Sequence, residues 1–133
     1  MEPTYNRLEI VDVLNDGDYQ GRKVELEGIA RGVVVNTSVD TRISSIQFLE
    51  RNGYFGFLQQ DKYVLPFGGS FDKMWLSQAS GHKDGDLVES MLRASSETNY
   101  PIILRGEVTS YQDGRPFLSV DEINFHGYIS RKI

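Results

Sequence analysis

Few residues in this chain have the types and spacing that chemistry requires. Ser80, His82 and Asp84 supply the three side chains of a hydrolytic triad. Triads are assembled across a fold rather than along one polar segment, so this run reads as a loop. The two histidines, His82 and His126, stand far apart in sequence and neither has metal-ligand spacing. Gly68-Gly69 lacks the lysine and following helix of a phosphate loop. Asp121-Glu122 pairs two carboxylates, and on a strand such a pair reads as solvated or salt-bridged before it reads as catalytic. No cysteine is present, which excludes disulfides and thiolate metal sites. The expectation is a non-enzyme without cofactor or metal.

A different chemistry is better supplied. Single-stranded nucleic acid needs flat aromatic surfaces for its bases and cations for its phosphates, each stacked base contributing about 1–3 kcal/mol. Tyr54, Phe55, Phe57 and Tyr63 lie in one stretch with Arg31, Arg42, Arg51 and Lys62, and Tyr111 and Arg115 flank a later turn. Phe48, Phe55 and Phe57 have the parity of core residues. Tyr54, Tyr63 and Tyr111 are the better candidates for a wet site, because a phenol tolerates water. The net charge of −5 argues against a strongly basic binder, but the segment 28–67 is the one net-positive part of the chain, by one charge. Phe71, Met74 and Trp75 form an apolar group with three readings: packing onto the domain, a lid, or an anchor for a protein partner.

These residues must be positioned by one domain, since 133 residues suffice for a core without staples. The N-terminus lacks the basic start and apolar run of a signal peptide, and no transmembrane-length apolar segment follows. A cytoplasmic protein without membrane contact is expected, its oligomeric state open.

The elements follow from periodicity. Asn6-Arg7-Leu8-Glu9 has the form of a capping box, and Leu8, Val11 and Leu14 repeat at helical spacing until Asp16-Gly17. The β-branched Ile10, Val11 and Val13 keep a strand open as the alternative. Lys23–Asn36 alternates and contains Gly28 and Gly32, as a long strand coiling through two halves of a barrel would. Further strands are expected at Ile43–Glu50 and, after an Arg51-Asn52-Gly53 turn, at Tyr54–Gln59. Residues 61–85 read as an irregular excursion with a short strand at Lys62–Leu65. A helix opens near Asp86-Leu87, stacks Leu87, Met91 and Ser95 beside Val88 and Leu92, and ends near Ser96–Asn99. Tyr100–Phe125 is then a hairpin about Asp113-Gly114, bent at Gly106.

A leading helix, three strands, a second helix and two strands is the order of a mainly β, five-stranded OB-fold Greek-key barrel, its second helix lying between strands 3 and 4. The stretch from Tyr19 to Gly28, YQGRKVELEG, resembles the opening of the first strand in bacterial OB-fold proteins related to the tRNA anticodon-binding-like group. Ile103-Leu104-Arg105-Gly106-Glu107-Val108 is similar to their fourth strand, and Phe117–Ile123 to their closing one. The resemblance, which omits residues 61–85, implies a single-stranded nucleic-acid-binding OB domain, and the chain length makes residues 1–133 that one domain. Other OB domains bind proteins, which leaves an assembly subunit as the alternative.

Overall fold

A computed structural model describes residues 4–36, 53–70, 87–110 and 114–132. The backbone of the domain is β2 (Lys23–Asn36), whose boundaries are those its alternation predicts. Its first half, Lys23–Gly28, pairs antiparallel with β5 (Ile102–Ser110). Its second half, from Ile29 on, pairs antiparallel with β3 (Gly53–Gln60). The switch of partner is what lets one strand serve two sides of a barrel. A register shift between Arg31 and Val34, with Gly32 at φ +58°, bends it there.

β3 turns through Asp61-Lys62 into β4 (Tyr63–Ser70), which reaches β6 (Pro116–Phe125) in parallel through Phe67 and Gly68. β6 returns antiparallel on β5 and closes the sheet. These five strands, β2 to β6, have the Greek-key connectivity of the OB-fold. Two short strands extend it: β1 (Asn6–Arg7), parallel to β2, and β7 (Tyr128–Arg131), a hairpin on β6.

Two sequence expectations change. The barrel's third strand is Tyr63–Ser70, inside the stretch read as an excursion, so the short strand expected at Lys62–Leu65 runs on through Pro66 and Gly68-Gly69. Pro66 lies just outside the two residues where β4 meets β6, an edge-like position that tolerates a missing N–H. The strand expected at Ile43–Glu50 lies outside the described residues, and Tyr54–Gln59 is the second barrel strand. The N-terminal helix α1 is shorter and later than expected, Ile10–Asn15. Asn6-Arg7 is extended, and it is the Asp12 carboxylate that accepts the Glu9 backbone N–H, at 3.2 Å. Ile10 and Val13, the β-branched residues that had favoured a strand, form the helix's buried face.

The second helix, α2 (Leu87–Thr98), buries Val88, Met91, Leu92 and Ser95 and packs chiefly against β2. Ser95 is wholly buried and satisfied on both sides: its hydroxyl accepts the Ala30 N–H at 3.1 Å and donates to the Tyr100 carbonyl at 2.7 Å. One small side chain thus fixes the helix to the barrel wall and to the start of β5.

Candidate nucleic-acid interface

Strand alternation sends every second residue of β3 to one face. Tyr54, Gly56 and Leu58 point into the barrel, and Phe55, Phe57 and Gln59 point out. The expected parity is therefore reversed. Tyr54, a candidate base platform, is 0% exposed and belongs to the core. Phe57, assigned to the core by its parity, is 37% exposed. The run Tyr54-Phe55-Gly56-Phe57-Leu58 carries no polar residue to mark the wet side, so periodicity alone could not orient it.

The outer face of β2, β3 and β4 is built in rows. Arg31, Phe57 and Pro66 form one row, Ile29, Gln59 and Val64 the next, and Val34, Phe55 and Gly68 the third. Phe57 meets Phe55 edge to face at 5.5 Å, and Phe55 in turn stacks on the buried Phe117 at 6.2 Å and 12°. Phe57 is thus an exposed ring on an anchored aromatic base. Val34 (51% exposed) and Val64 (44%) extend the apolar surface on either side.

The cations near this face have prior engagements. Arg31 donates Nε–H to Gln59 Oε1 at 3.1 Å, one terminal nitrogen to the Ser96 carbonyl at 2.9 Å, and the other to Asn99 Oδ1. It closes the C-terminal end of α2, where the carbonyls and the helix dipole both favour a cation. Lys62, in the β3–β4 turn, lies 5.5 Å over the ring of Tyr63, which is half-buried against the core. Arg115 is exposed beside Gly114, where β6 begins. Arg42, Arg51 and Tyr111, and the apolar group Phe71, Met74 and Trp75, lie outside the described residues. Of the sequence candidates, the structure brings Arg31 into the row of Phe57 and places Lys62 with Tyr63 at the hairpin tip.

The outer face of β1, β2, β5, β6 and β7 carries a lattice of ion pairs. The register shift opposite Arg105/Gly106 leaves Asp121 as an extra residue, so Val120 and Ile123 both join the core while Asp121, buried beneath its polar partners, and Glu122 meet the ion pairs. Glu122 takes Arg105 at 3.2 Å and Arg131 at 3.0 Å; Arg105 also holds Glu25 at 2.7 Å, and Glu25 holds Arg7 at 2.8 Å. This chain crosses five strands, from β1 to β7. Asp121 collects Lys23 at 2.7 Å, Lys132 at 3.0 Å and the Tyr5 hydroxyl at 3.0 Å. The carboxylate pair is salt-bridged, as its place on a strand suggests.

Burial alone would raise the Asp121 carboxyl, but hydrogen bonds from Lys23, Lys132 and Tyr5 outweigh it and hold it below the ordinary value. The Arg7 hydrogen bond does the same for Glu25, helped by Arg105. Burial, with the hydrogen bond to Asp121, pushes Tyr5 up to about 12. Both carboxyls are depressed in the folded state, so their stabilisation is present above the unfolded values, ~4, and is lost as pH falls through the folded ones. Tyr5, being raised, contributes below its unfolded value of ~10 and loses that contribution as pH climbs towards 12. The expected urea midpoint is level between these limits and falls on the acid side below about pH 4. Asp121→Asn should lower the neutral midpoint and flatten that acid limb, read by denaturation at a series of pH values. An unchanged acid limb in the variant would remove Asp121 as its source.

Among the described residues no three His, Cys, Asp or Glu side chains gather as metal ligands, and no helix is long and apolar enough to cross a membrane.

No protein-family model matches the chain, and no curated protein sequence does. Solved structures with related architecture include a putative aspartyl-tRNA synthetase from Leishmania major Friedlin, at TM-score 0.51 and 8% identity over 92% of this chain and 21% of that one. RecG bound to a three-way DNA junction is similar at TM-score 0.47 and 16% identity, over 89% and 12%. The OBody AM3L09 bound to hen egg-white lysozyme gives 0.46 and 11%, over 100% and 99%. The chain spans about a fifth of the synthetase's length, and at 8% identity this likeness bears on the fold alone.

Proposed function

We propose that this is a non-catalytic, single-stranded nucleic-acid-binding OB-fold protein whose bases stack on the outer face of β2, β3 and β4. The observation that carries the reading is Phe57, a ring 37% exposed on the face that OB-folds use for oligonucleotides, set on Phe55 and in register with Arg31. Stacking is tolerant of sequence because every base has a π-face, so broad base preference is expected. Phosphate contacts fall to Lys62 at the hairpin tip and to Arg42 and Arg51 of the net-positive segment. For single strands each phosphate neutralised adds roughly −0.7 to the slope of log affinity against log salt, so a few cations give a moderate dependence.

The test is a labelled single-stranded oligonucleotide titrated at two salt concentrations. Binding at low salt is expected, weakening at high salt. Phe57→Ala should reduce affinity by about 1–3 kcal/mol, the worth of one stacked base, with the unfolding midpoint little changed. Absence of binding by the wild type at low salt sinks the proposal.

One observation favours a second reading, an assembly subunit that docks a protein. Val34, Phe57 and Val64 make the face apolar, Arg31 has turned three donors inward, and the chain carries −5 overall. That reading predicts no oligonucleotide binding and a protein partner lost on Phe57→Ala.

A further inference from the structure

Tyr100, Phe125 and His126 form a second aromatic group. Tyr100, 47% exposed, stacks on His126 with ring centroids 3.9 Å apart and planes 24° from parallel. Phe125 supports both rings edge-on, at 5.7 Å and 87° to Tyr100 and at 4.5 Å and 88° to His126. The pair is therefore held in a fixed plane before any ligand arrives. His126 and Gly127 form the β6–β7 turn, at φ +52° and +82°. Glycine or asparagine ordinarily occupies the first of these positions, and the imidazole is carried there at some backbone strain.

This surface connects with the first. Arg31 is in register with Phe57 on one side and donates to Asn99, the residue before Tyr100, on the other. Its guanidinium is half-buried and held by three acceptors, one of them on the residue before Tyr100, and bases stack on guanidinium planes as well as on rings. An aliphatic side chain would fit the ring faces, but it would also dehydrate the phenol and imidazole edges without pairing them. A nucleobase covers the face and brings polar edges of its own.

We propose that Tyr100 and His126 form a second base-stacking position, so that an extended single strand runs from Phe57 over Arg31 to Tyr100. The inference rests on the function proposed above, and oligonucleotide length separates the two. A short oligonucleotide of about four nucleotides spans the Phe57 site alone, whereas one of about twelve covers both. His126→Gly removes the ring and places the residue best suited to φ +52° in the turn, so the relief of backbone strain offsets the lost ring contacts and the variant is expected to fold. Tyr100→Ala removes the other ring and leaves the carbonyl that Ser95 uses.

Both variants should bind the long oligonucleotide roughly five- to hundred-fold more weakly, the effect of one lost stacked base, and the short one as the wild type does. Phe57→Ala should weaken both. Wild-type affinity for the long oligonucleotide in both His126→Gly and Tyr100→Ala, with Phe57→Ala still impaired, overturns the second position and leaves the first standing. Equal loss on short and long oligonucleotides also overturns it, since the pair would then act on the first site. Failure of the wild type to bind either length overturns both proposals.

Discussion

Gly106→Ala is expected to be the most damaging of the glycine-to-alanine changes at Gly17, Gly28, Gly56, Gly68 and Gly106. A Cβ built at Gly106 would stand 2.2 Å from the Ser119 carbonyl oxygen and 2.9 Å from both the Ser119 carbonyl carbon and Val120 Cα. All three atoms are backbone, so no rotamer change relieves the contact. Gly106 also faces Val24 of β2 on its other side, which places it where β2, β5 and β6 close the barrel. Relief requires opening one of the two ladders. The expected loss is 3 kcal/mol or more on the scale of overpacked cores, a fall of roughly 10 °C in unfolding midpoint for a domain of this size. Gly17→Ala, with nothing within 4 Å of the added methyl, is the control and should change the midpoint by under about 1 kcal/mol. Equal midpoints for the two variants in thermal and urea unfolding would show that the bulge is looser than these distances.

Tyr54→Ala is the second. The ring is wholly buried among the largest core side chains, with Phe67 and Leu58, so truncation leaves a cavity and should cost about 3–5 kcal/mol. Phe57, three residues on and pointing the other way, should show the opposite pattern: little loss of stability and a large loss of oligonucleotide affinity. The comparison tests the orientation of β3 directly. If Tyr54→Ala stays as stable as the wild type and loses binding, then β3 presents its other face and the interface described above is wrong.

That orientation is also where the sequence was hardest to interpret. Lys23–Asn36, α2 and the two strands of the closing hairpin were legible because polar and apolar residues alternate at the period of the element, and because Gly106 marks the bend; Asp113 of the expected Asp113-Gly114 turn lies outside the described residues. β3 was found but turned the wrong way, since Tyr54 to Leu58 are largely apolar on both faces and parity put Phe55 and Phe57 inside. β4 was mostly missed, because Pro66 and Gly68-Gly69 are strand breakers by composition and only the tertiary pairing shows why they are tolerated. For the candidate site, Arg31 and Lys62 were chosen by type and location. Their inward commitments, to the end of α2 and to the Tyr63 ring, depend on residues distant in sequence and leave no local signal. The Tyr100–His126 pair was invisible for the same reason: 26 positions separate two rings that touch.

The bulged Asp121 has a temporal meaning as well. It binds Lys23 across 98 positions and Tyr5 across 116, so both groups wait for the acceptor that satisfies them until that much more of the chain has been made. Contacts of such separation are entropically the slowest to close, and they form when most of the chain is already arranged. The one-residue bulge in β6 therefore acts as a late clasp: β2 can already pair with β5, and Glu25 with Arg7 and Arg105, before Asp121 adds the contacts to Lys23 and Tyr5.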